Sequence, residues 1–279
     1  MSAESSPARA ANPGVGFWKS VTWATLLLAG VASIAVSMLD PLELFAYSVT
    51  PICFSTAEYV GQGDHPNPAT WHPVSSDTDN GNATQLFGMN TEPVTVGALF
   101  DKWQHARSGI DEDLAIVARC ETQFSCPTAA RKLIGLSLEG DGRSERARIG
   151  LINRAVDLAI SPVSDEAQWG VADHWSDPLE TLQSDRGDCE DYAIVKYAAL
   201  IEAGFSRDDL RIVIFKQRVS GEYHAVGAAR VNDAWLLLDN LTLTLVRDSD
   251  VTRSIPEFVL GEDGVRRFVS GNQDERTAS

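Results

Sequence analysis

The chain has 279 residues, 44% of them hydrophobic, and sets 39 acidic against 23 basic side chains for a formal net charge of −16. So acidic a body excludes nucleic acid and anionic membrane surfaces as natural partners. The first 40 residues add nothing net, because Arg9 and Lys19 offset Glu4 and Asp40, so the imbalance belongs to residues 41–279.

Val21 to Leu39 is an uncharged stretch of 19 residues preceded by Arg9 and Lys19, and residues 41–101 hold seven acids with no Lys or Arg. The positive-inside rule then keeps the N-terminus cytoplasmic and exports the remainder. Residues 1–40 are accordingly a signal peptide or an N-terminal membrane anchor. Ala35-Val36-Ser37 offers a small-x-small cleavage site, whereas the apolar run is long for a signal. Both outcomes stay open, and in either case the expected location is the periplasm, with membrane contact through this segment alone. Residues 41–84 read as a largely disordered linker, rich from residue 59 in Gly, Pro, Asn, Asp, Ser and Thr. Cys53 within it receives no role.

The domain is expected over residues 85–262, with a C-terminal tail at 263–279. Leu99, Phe100 and Trp103 suggest one helix, Leu114, Ile116 and Val117 a second, and Lys132 to Leu136 a short third. Ile149, Ile152, Val156 and Ala159 form the stripe of a longer helix that Pro162 stops. Cys120 and Cys126, followed by Pro127, either bridge a short turn in an oxidising compartment or are two buried thiols. The sequence has no C-x-x-C and no paired histidines, so zinc-type ligand spacing is absent. Ala193, Ile194, Tyr197, Ala198 and Ile201 then recur at helical spacing, and Gly204 ends the run as a C′ glycine. Beyond it, Leu210 to Phe215, Tyr223 to Val231 and Ala234 to Leu238 read as strands, the last two joined by an Asn232-Asp233 hairpin turn. Helices followed by antiparallel strands make an α+β domain.

Cys189 falls in the first turn of the Ala193–Ile201 helix, where the helix dipole and the unbonded N–H groups favour thiolate over thiol. Downstream lie His224 and Asp239, at separations of 35 residues (189 to 224) and 15 residues (224 to 239). A thiolate, an imidazole base and an orienting acid form the set that nucleophilic catalysis requires. Each residue also has a plainer role open to it: an inert buried thiol, a structural histidine, a turn aspartate. Asp188, Glu190 and Asp191 place three carboxylates around the cysteine. Helix capping accounts for acids at a helix start, yet so many would raise the pKa of a neighbouring thiol. A bound Ca²⁺, with its preference for carboxylate oxygen, would remove the conflict.

Trp175-x-x-Pro178-x-Glu180, Gly187-Asp188-Cys189-Glu190-Asp191-Tyr192-Ala193, His224-Ala225-Val226 and Leu238-Asp239-Asn240 occur in that order. Together they make residues 85 to 260 resemble the bacterial transglutaminase-like cysteine peptidases. The resemblance implies a papain-like, transglutaminase-type fold, with the nucleophile helix packed on an antiparallel sheet. It also implies a triad of Cys189, His224 and Asp239, and calcium dependence through Asp188, Glu190 and Asp191. Trp175 and Glu180 would line the substrate groove, although Trp175 also suits a core. The motif departs from the family at Asp173-His174-Trp175, where Asp-Tyr-Trp is expected. The implied partners are a surface adhesin-type protein, cut near its N-terminal region, and an inner-membrane receptor that sequesters the protease. Two other activities fit the same residues: acyl transfer to an amine, and a catalytically idle calcium-dependent binding module.

Overall fold

The computed structural model describes residues 85–120 and 125–269. The expected signal or anchor segment and nearly all of the expected linker, with Cys53, lie outside them. Among the described residues no helix is long and apolar enough to cross a membrane.

After strand β1 (Asn90–Val94) comes helix α1 (Ala98–Cys120). Its buried residues Leu99, Trp103, Ala106, Ile110 and Val117 recur every three to seven positions along one side. The two helices expected here are therefore one. Ala106 and Ile110 carry the stripe through a polar stretch that masks it in the sequence. A Cys120–Cys126 disulfide links the last residue of α1 to the segment ahead of α2 (Thr128–Ser137). Helix α3 (Glu145–Ala159), strand β2 (Ser161–Pro162), the short helices α4 (Asp165–Trp169) and α5 (Pro178–Ser184), and strand β3 (Arg186–Gly187) lead to α6 (Cys189–Glu202).

Helix α6 is the interior spine. Every residue from Cys189 to Leu200 is buried, as expected of a helix enclosed on all sides. It ends where Gly204, at φ 91°, lets the chain turn back. Gly204 N then donates to Ile201 O at 2.8 Å and Phe205 N to Leu200 O at 3.0 Å.

The remaining strands are β4 (Leu210–Gln217), β5 (Tyr223–Val231), β6 (Ala234–Leu238), β7 (Val246–Arg247), β8 (Ser254–Gly261) and β9 (Gly264–Val269). With β1 they form one seven-stranded sheet in the order β1-β9-β8-β4-β5-β6-β7, and each neighbouring pair is antiparallel. Asn232 and Asp233 turn the β5–β6 hairpin at φ 49° and 61°, the left-handed pair that a tight hairpin needs. Strand β9 pairs with both β8 and β1. The folded domain therefore extends past residue 262, where a tail was expected, to at least Val269.

Successive residues of β4 alternate between two cores. Ile212 and Ile214 pack with the helices, while Val213 and Phe215 join Val226, Trp235, Leu237, Val259 and Phe268 on the far face. Phe87 covers that face, standing edge-on to Phe215 and Phe268 with centroids 5.6 Å away in each case. Burial on both faces explains why β4 reads as an unbroken apolar run rather than an alternating one.

Candidate active site

The site is built around the first turn of α6. Asp188 is the N-cap and Asp191 the N3 residue of a capping box. The Asp191 carboxylate accepts Asp188 N at 3.3 Å and, through its other oxygen, Ser176 N at 2.9 Å. That second bond ties the segment before α5 to the helix start. Room for it exists only because residue 187 is glycine: a β-carbon there would lie 2.6 Å from Asp191 Oδ2. Strands β2 and β3 pair in parallel, Pro162 opposite Gly187, and Val163 N donates to Gly187 O at 3.0 Å. This short ribbon brings the start of α4 beside the start of α6.

Against this turn lies the beginning of β5. Ala225 N donates to Cys189 Sγ at 3.2 Å, which sets the sulfur one residue from His224. His224 Nε2 is 2.8 Å from Asp239 Oδ1, and the same oxygen accepts Leu241 N at 2.9 Å. Burial works to raise the Asp239 pKa. The bond from His224, the charge of that ring, the Leu241 N–H and the Lys196 ammonium together bring it below the ordinary carboxylate value. An ionised Asp239 accepts a hydrogen bond from the His224 Nε2–H, leaving Nδ1 as the nitrogen that exchanges a proton. The three expected catalytic residues thus converge from α6, β5 and the end of β6.

On the other side of Cys189, carboxylate oxygens of Asp165, Asp188 and Glu190 lie within 4.8 Å of one another, and all three residues are buried. Asp188 Oδ1 and Glu190 Oε1 are enclosed without a hydrogen-bond partner. Burial pushes Asp188 up to about 7, and burial together with Asp188 lifts Glu190 well above its ordinary range. Hard, all-oxygen and partly orphaned, this donor set fits a Ca²⁺ ion. The cluster corrects the sequence expectation: Asp165 of α4 joins Asp188 and Glu190, whereas Asp191 commits both oxygens to backbone N–H groups. Asp165 is hidden in the sequence because Ser164-Asp165-Glu166 has the look of an ordinary helix start, and only the β2–β3 pairing carries it across.

Trp175 is 5% exposed and belongs to the helical core, so its groove role is not borne out. Glu180 is exposed, with Oε2 3.4 Å from His174 Nε2. His174 tilts against Trp169, ring centroids 4.9 Å apart, so the departure from the family pattern sits on the surface beside Glu180.

Residues 117–252 match the family model described as bacterial transglutaminase-like cysteine proteinase. Among solved structures, the calcium-bound LapG of Legionella pneumophila aligns at 19% identity and a TM-score of 0.44, covering 59% of this chain and 92% of its own. An EGTA-treated form of that protein aligns at 20% identity and a TM-score of 0.44, over 57% of this chain and 84% of its own. No curated protein matches the chain.

Gly187→Ala should displace Asp191 and open the first turn of α6. Its expected cost is on the order of 1–3 kcal/mol, the range for overpacking a close-fitting interior, read as a lower urea midpoint. A variant as stable as wild type, with Cys189 equally reactive, would show that the turn accommodates the β-carbon freely.

Proposed function

Residues 117–252 belong to the bacterial transglutaminase-like cysteine proteinases, and from that premise we propose a periplasmic, calcium-dependent cysteine endopeptidase that cuts an exported or surface adhesin-type protein. The observation that carries the reading is the convergence on one point. Ala225 N meets the Cys189 sulfur at 3.2 Å, and Asp239 meets the neighbouring imidazole at 2.8 Å.

In this reading the Cys189 thiolate attacks a substrate carbonyl carbon. The oxyanion is met by the N–H of Cys189, which at N1 stands outside the intrahelical ladder. His224 Nδ1–H gives its proton to the leaving nitrogen as the C–N bond breaks, and a thioester remains. The same nitrogen then takes a proton from water, whose oxygen attacks the thioester; the acid product leaves and the thiolate returns. Asp239 holds the ring and stabilises the imidazolium in both halves.

Ca²⁺ held by Asp165, Asp188 and Glu190 would neutralise the charge that otherwise opposes a thiolate between two acids. Export is supported by the charge asymmetry around Val21–Leu39 and by the Cys120–Cys126 bridge, which suits an oxidising compartment. The adhesin-type substrate and a sequestering inner-membrane receptor are inferred from the resemblance of the four ordered motifs.

With reductant and Ca²⁺ present, Cys189→Ala should abolish peptide cleavage while keeping the fold, since alanine suits a helix's first turn. Asp239→Asn should lower kcat by about 10⁴ through the wrong tautomer. Cleavage by the alanine variant near the wild-type rate would end the peptidase assignment of this cysteine.

Calcium is tested by stability as well as by rate. In chelator, folded Asp188 holds a proton from its ordinary 3.8 up to about 7, whereas the unfolded chain has lost it. The folded state therefore binds more protons in that window, and melting temperature should fall as pH rises across it. Ca²⁺ should remove most of this fall, with Mg²⁺ a poor substitute, and Asp165→Asn should lose most of the calcium-dependent shift. A melting temperature indifferent to millimolar Ca²⁺ at neutral pH would leave these acids with a capping role only.

A further inference from the structure

Lys196 lies two turns along α6 from Cys189 and is 1% exposed, with Nζ 2.6 Å from Asp157 Oδ1 of α3. The same Nζ donates to the Leu238 carbonyl at 3.1 Å and stands 5.9 Å from the centroid of the Tyr192 ring. Leu238 is the last residue of β6, so the bonded carbonyl belongs to the peptide that leads directly into Asp239. On the neighbouring strand Gly227 pairs with Leu238. A β-carbon at 227 would touch Leu238 Cβ at 3.5 Å and Lys196 Cβ at 3.8 Å, so the lysine stem runs beneath this register pair.

A buried ion pair is a costly core element, because desolvating two charges offsets their attraction, and an apolar pair of similar volume commonly serves the core as well. The pair at Lys196 and Asp157 also holds a backbone group, the carbonyl at the end of β6. We infer that Lys196, clamped by Asp157, is a positioning residue for the triad: its ammonium fixes the end of β6 and thereby aims Asp239 Oδ1 at His224 Nε2. The inference rests on the triad reading given above. It assigns the lysine no contact with substrate; Lys196 acts through Asp239.

The test compares wild type, Lys196→Met/Asp157→Leu and Lys196→Gln/Asp157→Asn, each reduced and supplied with Ca²⁺. The first double variant removes both charges at nearly constant volume, and the second leaves an amide pair too short to hold the Leu238 carbonyl. Both should lower kcat by about tenfold or more with KM within about twofold, the mark of an interaction realised in the transition state. A second readout is the far-downfield proton resonance of the His224 Nε2–H, recorded in a Cys189→Ala background and assigned by its loss in Asp239→Asn. It should move or broaden in both double variants. A folded double variant with wild-type kcat and an unmoved resonance overturns the inference, as does failure of both to fold, which would make the pair part of the fold alone. If wild type itself cleaves no peptide, the proposed function falls first and the inference with it. If wild type cleaves and the variants match it, the inference falls alone.

Discussion

The site depends on where α6 begins and on how that beginning is held. Asp191 reaches back over Gly187 to the Asp188 N–H and sideways to the Ser176 N–H. One carboxylate thus sets the first turn of the helix and the segment ahead of α5 together. Because α6 is buried from Cys189 to Leu200, its axis cannot shift without disturbing α1, α2, α3 and the sheet. The sulfur is therefore delivered to the head of β5 by core packing, and the capping box sets only the last few ångströms. Asp239 directly follows a strand whose final carbonyl is tied to a lysine of the same helix. Cys189 and Asp239 thus share α6 as a common support.

Taken alone, the charge around Cys189 opposes its chemistry. Acids flank the cysteine on both sides, and a third from α4 crowds them, all away from water. Left to themselves, burial and mutual repulsion favour keeping their protons. A divalent cation bound there, as proposed, would change the sign of that environment and couple its own binding to the stability of the helix start. The carboxylates that would burden a thiolate then become part of what organises it.

Much of this is legible in the sequence, for identifiable reasons. Helix α6 and strands β5 and β6 announce themselves because their apolar periodicity is strong and their ends carry plain signals, Gly204 and Asn232-Asp233. The three residues of the proposed triad stand out through the ordered motifs and the α-to-β switch. Helix α1 reads as two because its middle packs through Ala106 and Ile110 amid polar neighbours. Strand β9 reads as tail because Arg266 and Arg267 interrupt its apolar pattern. Trp175 suits a groove on its motif position and lies in the core, since a motif position does not say which way an indole faces. Asp165 cannot be found by spacing: its place beside Asp188 is created by pairing between two-residue strands. Lys196 is visible as a lone cation inside an apolar helix, and what it holds emerges only with α3 and β6 in place.

The central claim is that Cys189, His224 and Asp239 form a working nucleophile. Its most direct test is the rate of iodoacetamide alkylation at each cysteine of the reduced, calcium-loaded protein near neutral pH, resolved by peptide mass spectrometry. Cys189 should react well ahead of Cys120 and Cys126, and replacing His224 with Ala should abolish that advantage. Equal reactivity of these three cysteines, or a Cys189 rate indifferent to the loss of His224, would contradict the account.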